Sequence, residues 1–500
     1  MVNNNISLEA ISDEMTALEK ETKGDKENQV ANILSEILKN IKPVNFRDYC
    51  KLVNDKEKLQ KKHYLVSCIE ILIKNVNDDG FSLCRKNDRI YLFNSEYWEN
   101  INEEVFKDFL GNVSLKMGVD KFDAKHHLFK DEIYKQFLSD GGVKEIKSSS
   151  ATTLVNFNNG TFEITPKKQF LRDFRKSDFL TYQLPFSYNQ DATAPRFQKF
   201  LDEVIPETEL QEVLAEYLGY IFIKNTVLKL EKVLILLGSG RNGKSVLYDI
   251  ILALFGAGNV SGYSLQSLTA ENGNARAMIQ NKLLNYAPEI SGKLKHNIFK
   301  TLISGEEVEA RLLYKNTQMI KGYSRFMFNC NELPKEVENT TGYFRRFLIL
   351  PFRFTIPTNK VDPDLAKKII NSELSGVFNW VLVGLIRLLE NKKFTISEII
   401  ENQTLQYQKE SDSVLMYLED EDYQKSVVND RPLKDLYLEY DLYCKSSGYH
   451  QCSLRTFSNR LKKNGFMVKR KSYGNAIYIE KKRETRSEEE VLELINEIDF

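Results

Sequence analysis

The sequence predicts an α/β protein whose core is built around one strand–loop–helix unit, and three observations carry this prediction. Val233 to Leu237 form a continuous apolar run, which is typical of a strand buried on both faces. The apolar residues after Lys244 recur with the spacing of a helix that buries one face, and Gly256 ends the pattern. A glycine-rich loop, residues 238–243, connects the strand to the helix.

The loop and the start of the helix have the pattern G-x-x-x-x-G-K-[ST], the P-loop or Walker A motif. Its residues are Gly238, Ser239, Gly240, Arg241, Asn242, Gly243, Lys244 and Ser245. Glycines let the backbone turn its N–H groups towards phosphate oxygens, and the helix adds its positive dipole end. We therefore expect ATP to bind here, with Lys244 at the β- and γ-phosphates and Ser245 on Mg²⁺. The alternative is a glycine-rich turn without a ligand.

Charge is distributed unevenly along the 500 residues, which are expected to form about two to four domains. The formal net charge is zero, from 70 basic and 70 acidic residues. Residues 453–483 nevertheless carry ten Lys or Arg against one Glu, and residues 484–500 carry seven acidic residues against one Arg. A basic module followed by an acidic tail is typical of nucleic-acid binding.

Several classes of protein are disfavoured by the sequence. The N-terminus lacks the basic and apolar regions of a signal peptide. The longest apolar stretch lies near Val377 to Ile386, and we expect it to be too short to span a membrane. Six cysteines without a Cys-x-x-Cys pair do not indicate a structural zinc site. These features predict a cytoplasmic protein with no membrane partner.

Before the core, residues 1–45 are predicted to form a flexible or helical lead-in, and residues 46–190 an α+β domain. Hairpin patterns occur near residues 89–98 and 153–165. Primases of the archaeo-eukaryotic type share an Asp-x-Asp pair and a distant His. Residues 1–190 contain no Asp-x-Asp, so we expect no primase site in this region.

Two patterns with chemical meaning follow the P-loop helix. Residues 281–289 read as a strand that ends in Glu289. An acid beside a P-loop orients the attacking water and helps to hold Mg²⁺, although an exposed Glu after a strand is the alternative. Glu306 to Met319 alternate in polarity, which predicts a hairpin with its turn at Lys315-Asn316-Thr317.

The complete order of motifs resembles superfamily 3 helicases. It continues with a strand that ends in Asn331, three residues before Pro334, and with Arg345 and Arg346 before another apolar strand. Over about residues 156–410 the chain is more closely similar to the helicase half of phage, plasmid and poxvirus-type primase-helicases. This resemblance implies an AAA+ core that assembles as a ring, usually a hexamer, around single-stranded DNA and moves 3′ to 5′.

The resemblance also implies roles for individual residues. Glu289 matches the catalytic Walker B acid, although many relatives have two adjacent acids where this chain has Pro288 before Glu289. Asn331 matches the sensor of the γ-phosphate. Either Arg345 or Arg346 matches the arginine finger that acts on a neighbouring subunit. The turn at Lys315 and Asn316 matches the hairpin that grips DNA.

The C-terminal part resembles a winged helix. A helix near residues 365–389 and a polar linker at residues 395–412 precede a helix over residues 432–448. Ser453 is a good N-cap for the next helix, and two short strands follow. The basic surface that would contact duplex or forked DNA consists of Arg455, Arg460, Lys462, Lys463, Lys469, Arg470 and Lys471. A solvated basic face is the alternative.

The sequence therefore predicts an ATP-dependent, ring-forming DNA helicase that serves the replication of a phage, plasmid or other mobile element. A primase and a single-strand-binding protein are possible partners in trans. The predicted divisions are residues 1–45, 46–190, 191–400 (the AAA+ core), 401–483 (the winged helix) and 484–500 (the acidic tail). One alternative is an initiator or loader that uses ATP only as a switch, and another is a primase-helicase with a cryptic N-terminal primase site.

Overall fold

The computed structural model describes residues 28–482 except 53, 55, 87–88, 141–151, 166–167, 289, 291–293, 313–315, 335–339, 358 and 360. Three predicted features, Glu289, Lys315 and the acidic tail, lie outside the described residues.

The N-terminal region consists of helices packed around a small antiparallel sheet. The helices are α1 (residues 28–40), α2 (Phe46–Tyr49), α3 (Lys61–Asp78), α4 (Glu103–Met117), α5 (Lys121–Lys125) and α6 (His127–Asp140), and the strands are β1 (Ser82–Lys86), β2 (Arg89–Phe93) and β3 (Trp98–Ile101). Val30, Leu34 and Ile37 of α1 are buried in the core of this region. Of the two alternatives predicted for the lead-in, flexible or helical, residues 28–40 adopt the helical one, and their apolar positions share one helix face.

A second antiparallel sheet joins this region to the central core. It consists of β4 (Thr153–Phe157), β5 (Gly160–Ile164) and β6 (Gln169–Arg172), and its first two strands match the predicted hairpin. Val155, Phe157 and Phe162 are buried in the same hydrophobic cluster as the central sheet. The two hairpins predicted before the core are thus both present, each as part of a three-stranded sheet.

The central sheet is parallel throughout and confirms the predicted α/β class. Its strands are β7 (Val233–Leu237), β8 (Val260–Ser261), β9 (Leu284–Ala287), β12 (Arg325–Cys330) and β13 (Phe347–Pro351), in the order β13-β7-β12-β9-β8. The hairpin of β10 (Val308–Ala310) and β11 (Gln318–Ile320) lies between β9 and β12 along the chain. Strands of this sheet are buried on both faces, which explains their continuous apolar runs.

Helices cover both faces of the central sheet. They are α7 (Pro195–Val204), α8 (Thr208–Tyr220), α9 (Lys244–Phe255), α10 (Leu265–Thr269), α11 (Asn274–Met278), α12 (His296–Ser304), α13 (Thr341–Phe344), α14 (Leu365–Asn391) and α15 (Glu398–Glu410). Among the described residues, α14 is long and apolar enough to cross a membrane by length and composition. Half of its most apolar window is buried in the fold, as expected for the core helix of a globular protein.

Helices α8 and α14 approach each other closely because both have glycine at the contact. A Cβ at Gly384 would lie 2.6 Å from Cβ of Ala215 and 2.6 Å from the backbone nitrogen of Glu216. The carboxylate of Glu216 is fully buried and accepts a hydrogen bond of 2.7 Å from Nε of Arg387. It also accepts one of 2.7 Å from the backbone N–H of Thr395. A buried ion pair and close backbone packing therefore join the two helices.

The polar stretch at residues 395–412 is not a linker, so that prediction was wrong. It contains α15, whose Ile400 and Tyr407 are buried. The ring of Tyr407 lies 5.3 Å from that of Phe344 and 5.7 Å from that of Phe347. Two apolar residues on one face are enough to pack this helix on the core, although its other positions are mostly polar.

The C-terminal part contains three helices and a three-stranded antiparallel sheet. Its elements are α16 (Ser413–Asp420), β14 (Tyr423–Pro432), α17 (Leu433–Ser447), α18 (Leu454–Lys463), β15 (Val468–Lys471) and β16 (Gly474–Lys481), and the sheet order is β14-β16-β15. The predicted cap of α18 is confirmed, because the hydroxyl of Ser453 accepts a hydrogen bond from the backbone N–H of Thr456. Strand β14 was not predicted, because a register shift between Lys425 and Asp430 interrupts its alternation.

Substitution of the glycine at the α8–α14 contact tests how much this packing stabilises the core. Gly384→Ala should destabilise the protein by about 1–3 kcal/mol, since the added methyl group overlaps backbone and Cβ atoms of α8. The midpoint of thermal unfolding should therefore fall. Gly342→Ala is the matched control, because the nearest atom to its added Cβ is 3.9 Å away. Equal midpoints for the two variants would contradict this account of the contact.

Candidate nucleotide-binding site

The loop between β7 and α9 can be formed only with glycine at several positions. A Cβ at Gly238 would lie 2.7 Å from the carbonyl oxygen of Phe352, and one at Gly243 would lie 2.8 Å from Val204. Gly240 and Gly243 have φ angles of 108° and 86°, a region that side chains with a Cβ rarely adopt. The backbone of this loop is therefore compact and packed directly against its surroundings.

Lys244 begins α9 and points its ammonium group into the loop. Its Nζ donates to the carbonyl oxygen of Gly238 and, at 3.2 Å, to Oδ1 of the buried Asn242. Burial lowers the pKa of Lys244 to about 8, against a smaller opposing effect of Cys330. A cation in this position is poorly solvated, and an anionic ligand would stabilise it strongly.

The other residues of the motif are more accessible. Ser239, Arg241 and Ser245 are exposed, and Ser245 lies in the first turn of α9. The first turn of a helix has backbone N–H groups without intrahelical partners, which favours anions beside it. The structure thus brings the motif's lysine, its terminal serine and a helix N-terminus together at one point.

Asn331 lies at the same edge of the central sheet as the loop. Cys330, the last residue of β12, pairs in register with Leu237, and its carbonyl oxygen accepts a 3.0 Å hydrogen bond from the N–H of Gly238. Asn331 follows directly and is exposed. The end of β9 reaches the same edge, because Ala287 pairs with Phe328. Glu289 is two residues further along the chain and lies outside the described residues.

A polar contact inside the sheet was missed by the sequence analysis. The hydroxyl of Tyr286 in β9 donates to Oδ1 of Asn329 in β12 at 2.7 Å, and both residues are buried. Burial raises the pKa of Tyr286 well above its usual range, so the hydroxyl stays protonated. The only sequence signal was a polar residue in each of two neighbouring apolar strands. This hydrogen bond fixes the two strands to each other close to the edge that carries Asn331.

Arg345 and Arg346 lie at the opposite edge of the sheet. They precede β13, and the carbonyl oxygen of Arg346 accepts from the N–H of Val233, the first residue of β7. Arg345 is half exposed and pairs with Glu231 at 2.6 Å, whereas Arg346 is buried and donates to the hydroxyl of Ser304. Burial alone would raise the pKa of Glu231, but the two guanidinium groups lower it. Five residues of β7 separate this edge from the loop, about 16 Å.

The predicted hairpin is present as β10 and β11, which pair over three residues each. Asn316 is exposed near its tip, and Lys315 lies outside the described residues. The hairpin lies between β9 and β12 along the chain, and both of these strands end at the sheet edge that carries the loop of residues 238–243.

The predicted basic surface of the C-terminal part is only partly available to a ligand. Arg460 pairs with Asp412 at 3.0 Å, and Lys471 pairs with Asp430. The side chain of Lys469 lies 5.5 Å from the ring of Tyr478. The other predicted members, which are Arg455, Lys462, Lys463 and Arg470, are exposed. Arg460 is therefore partly buried in an ion pair within the fold, whereas the exposed members, which include Lys469 and Lys471, form the accessible surface.

Three segments of the chain match protein-family models. Residues 69–206 match a family described as D5 N terminal like, residues 236–346 a family of unknown function (DUF5906), and residues 409–496 a family described as Poxvirus D5 protein-like. A protein of Acanthamoeba polyphaga mimivirus, L207/L206, which is provisionally described as a helicase, is 24% identical over 215 residues. These matches support a relationship with viral primase-helicases.

The coverage of these relatives is limited. The match to the mimivirus protein includes 40% of this chain and 22% of that protein, so this chain corresponds to about a fifth of its length. Two solved structures of the NrS-1 C-terminal region are each 12% identical. One covers 82% of this chain and 98% of its own with a TM-score of 0.43, and the other covers 83% and 100% with a TM-score of 0.45.

The lowered pKa of Lys244 predicts how nucleotide affinity depends on pH. A bound phosphate stabilises the charged ammonium, so affinity should fall as the pH rises through about 8 and the free protein loses this proton. The decrease should approach about tenfold per pH unit. The measurement is the dissociation constant of a fluorescent ATP analogue from neutral pH upwards at constant ionic strength. Lys244→Arg, which stays charged, should lose this dependence, and parallel curves for the two proteins would contradict the assignment.

Proposed function

We propose that the chain is an ATP-dependent DNA helicase of the superfamily 3 type that serves the replication of a virus, phage, plasmid or other mobile element. One observation carries the proposal. Lys244 and Asn331 lie at one edge of a parallel sheet, while Arg345 and Arg346 lie at the other. In a nucleotide site formed between two subunits, one subunit provides the phosphate-binding groups and the other provides an arginine. The two sets of groups must then lie at different edges of each subunit. The family matches support the same class of enzyme.

The described residues fit a nucleoside triphosphate with Mg²⁺. Glycine is required at positions 238 and 243, where a Cβ would collide with packed neighbours, and the buried ammonium of Lys244 lies against a carbonyl oxygen and an amide oxygen. We assign the β- and γ-phosphates to the loop N–H groups and Lys244, and Mg²⁺ to Ser245 with Glu289 nearby. When bound, Mg²⁺ neutralises charge that develops on the phosphates. Glu289 would orient the attacking water, and Asn331 would contact the γ-phosphate.

Arg345 is the better candidate for the arginine finger. Its side chain is 55% exposed, so it can reach a neighbouring subunit after leaving Glu231. Arg346 is buried and is held by Ser304 and by the carbonyl oxygen of Gly342. A finger at the edge opposite the loop cannot serve its own subunit, which supports ring assembly, with a hexamer as the expected form.

Two surfaces would contact DNA. The β10–β11 hairpin, with Lys315 and Asn316 at its tip, would project into the central channel and hold one strand. The order of the C-terminal elements, a helix, a strand, two helices and two strands, supports a winged helix. Its exposed Lys462, Lys463 and Arg470 would contact phosphates of a duplex or fork without sequence preference. A primase and a single-strand-binding protein would act in trans.

The family matches do not favour either alternative function. An initiator or loader that uses ATP as a switch would bind the same nucleotide at the same loop, so only strand separation distinguishes it from a helicase. A cryptic N-terminal primase site would require paired acids, which the sequence before the core does not supply in the Asp-x-Asp form.

The helicase proposal is tested by strand displacement on forked duplexes with a 3′ or a 5′ loading tail. Wild-type protein with ATP and Mg²⁺ should release the labelled strand, with a preference for the 3′ tail. Lys244→Ala should abolish ATP hydrolysis and unwinding, because the γ-phosphate loses its buried positive partner. Glu289→Gln should bind ATP without turnover. ATP hydrolysis without strand release on either fork would favour the loader instead.

The arginine finger is tested by mixing two inactive variants. Arg345→Ala should bind ATP but not hydrolyse it, and Lys244→Ala should neither bind nor hydrolyse it. In mixed rings, a site formed by the loop of the Arg345 variant and the finger of the Lys244 variant is complete, so ATPase activity should reappear. Arg353→Ala is a matched control for removing an exposed arginine that pairs with a single Glu. Full ATPase activity in monomeric wild-type protein would refute a finger in trans.

A further inference from the structure

The first side of the β10–β11 hairpin is held by a buried arginine and a glycine. Nε of Arg276 donates to the carbonyl oxygen of Glu309 in β10 at 2.5 Å. The carbonyl oxygen of Gly273 accepts a 3.3 Å hydrogen bond from the N–H of Arg311. A Cβ at Gly273 would lie 3.2 Å from Cα of Ala310, so the two backbones are in direct contact.

Arg276 binds backbone carbonyl groups on two segments at once. Besides Glu309, its Nη1 donates to the carbonyl oxygens of Leu268 at 2.9 Å and Ala270 at 2.5 Å. The residue is only 2% exposed. Burial lowers its pKa from the usual range, but an arginine remains charged at physiological pH. A buried guanidinium with directional partners fixes the distance between α10, α11 and the hairpin more firmly than apolar contact would.

The second side of the hairpin is held by the same segment, residues 273–280, which we name the clasp. The backbone of Gln280 forms a bridge with Tyr323, and the carbonyl oxygen of Ile279 accepts from the N–H of Ser324 at 3.2 Å. The hydroxyl of Tyr323 also donates to the carbonyl oxygen of Glu306 at 2.7 Å, just before β10. Both sides of the hairpin are therefore attached to one short segment.

The hairpin depends on these attachments for its orientation. Its strands pair over three residues each, and an isolated hairpin of this size is marginally stable in water. The clasp continues into β9, and the second strand of the hairpin continues through Ser324 into β12. Both strands end at the edge that carries the loop and Asn331, where Cys330 is bonded to Gly238. The hairpin is thus connected to the nucleotide edge by two strands, one of them through the clasp.

We propose that the clasp transmits the nucleotide state of the core to the β10–β11 hairpin, and that Arg276 is the positioning residue of this connection. The inference rests on the proposed function, since it requires DNA at the hairpin. The three hydrogen bonds of Arg276 go to backbone carbonyl groups, so they hold the backbone of the hairpin and do not depend on the identity of the residues there. Without Arg276, the nucleotide edge and the hairpin would each keep their own structure but would no longer respond to one another.

The test compares Arg276→Lys with Arg387→Lys. A lysine at 276 keeps the positive charge, but its ammonium cannot reach all three carbonyl groups in the same geometry. We expect basal ATPase activity to be unchanged, while the stimulation by single-stranded DNA falls about tenfold. The affinity for single-stranded DNA should no longer differ between protein bound to ADP and protein bound to a non-hydrolysable ATP analogue. Arg387→Lys weakens another buried attachment, that of α14 to Glu216, and should keep both responses.

Several results would decide against the clasp. Full DNA stimulation in Arg276→Lys would overturn it, and so would an equal loss in Arg387→Lys, because the effect would then be general destabilisation. If Arg276→Lys does not fold, Gly273→Ala disturbs the contact of the clasp with β10, because the added Cβ would lie 3.2 Å from Cα of Ala310. This variant should reduce the same stimulation, and unchanged stimulation would overturn the proposal. Wild-type ATPase that does not respond to single-stranded DNA would overturn both the clasp and the helicase proposal. Equal stimulation of the wild type and the clasp variants would overturn the clasp alone.

Discussion

The common direction of the strands in the central sheet determines where every candidate catalytic group can lie. Because all neighbouring pairs are parallel, the carboxyl ends of β7, β9 and β12 meet at one edge. A residue that follows any of these strands is brought near the loop at Gly238, whereas a residue that precedes a strand is held at the far edge. Asn331 belongs to the first group and Arg345 to the second. The position of a residue before or after its strand therefore decides whether it can act within its own subunit.

The loop buries the positive charge of Lys244, which is unfavourable, and a bound phosphate would stabilise this charge. The buried ammonium of Lys244 donates hydrogen bonds to a carbonyl oxygen and to Oδ1 of Asn242. Burial works against its charge, as the pKa of about 8 indicates. The loop backbone beside it is closely packed, since a Cβ at Gly238 or Gly243 would collide with neighbouring residues. The loop backbone and one poorly solvated cation would together favour an anion at this position.

The features that sequence analysis predicted correctly are those that depend on local pattern. The apolar run of β7, the spacing in α9 and the cap at Ser453 each follow from a few adjacent residues. The α/β class followed from the first two of these. The roles assigned to Lys244, Glu289 and the arginines stay predictions, and they came from motif order.

The features that were missed depend on contacts between distant segments. Helix α15 has two buried residues, and the ring partners of one of them, Tyr407, lie on α13 and β13. Its mostly polar composition therefore suggested a linker. Arg276 donates to three backbone carbonyl groups. Every residue type has such a group, so the sequence does not indicate which residues accept these hydrogen bonds. The hydrogen bond between Tyr286 and Asn329 joins two side chains, but it depends on the pairing of β9 with β12, which the sequence does not indicate. Hydrogen bonds to backbone groups and between side chains of neighbouring strands become evident only in the three-dimensional structure.

The contact between α8 and α14 also constrains the order in which the chain can fold. Glu216 and Arg387 are 171 residues apart, and the whole central sheet lies between them in the sequence. During synthesis, α8 leaves the ribosome long before α14. Its apolar face and the carboxylate of Glu216 therefore lack their α14 partners until α14 has been synthesised. Closure of such a distant contact is slow compared with formation of a helix or a hairpin. The core around α8 can therefore be completed only after residue 391 has been synthesised.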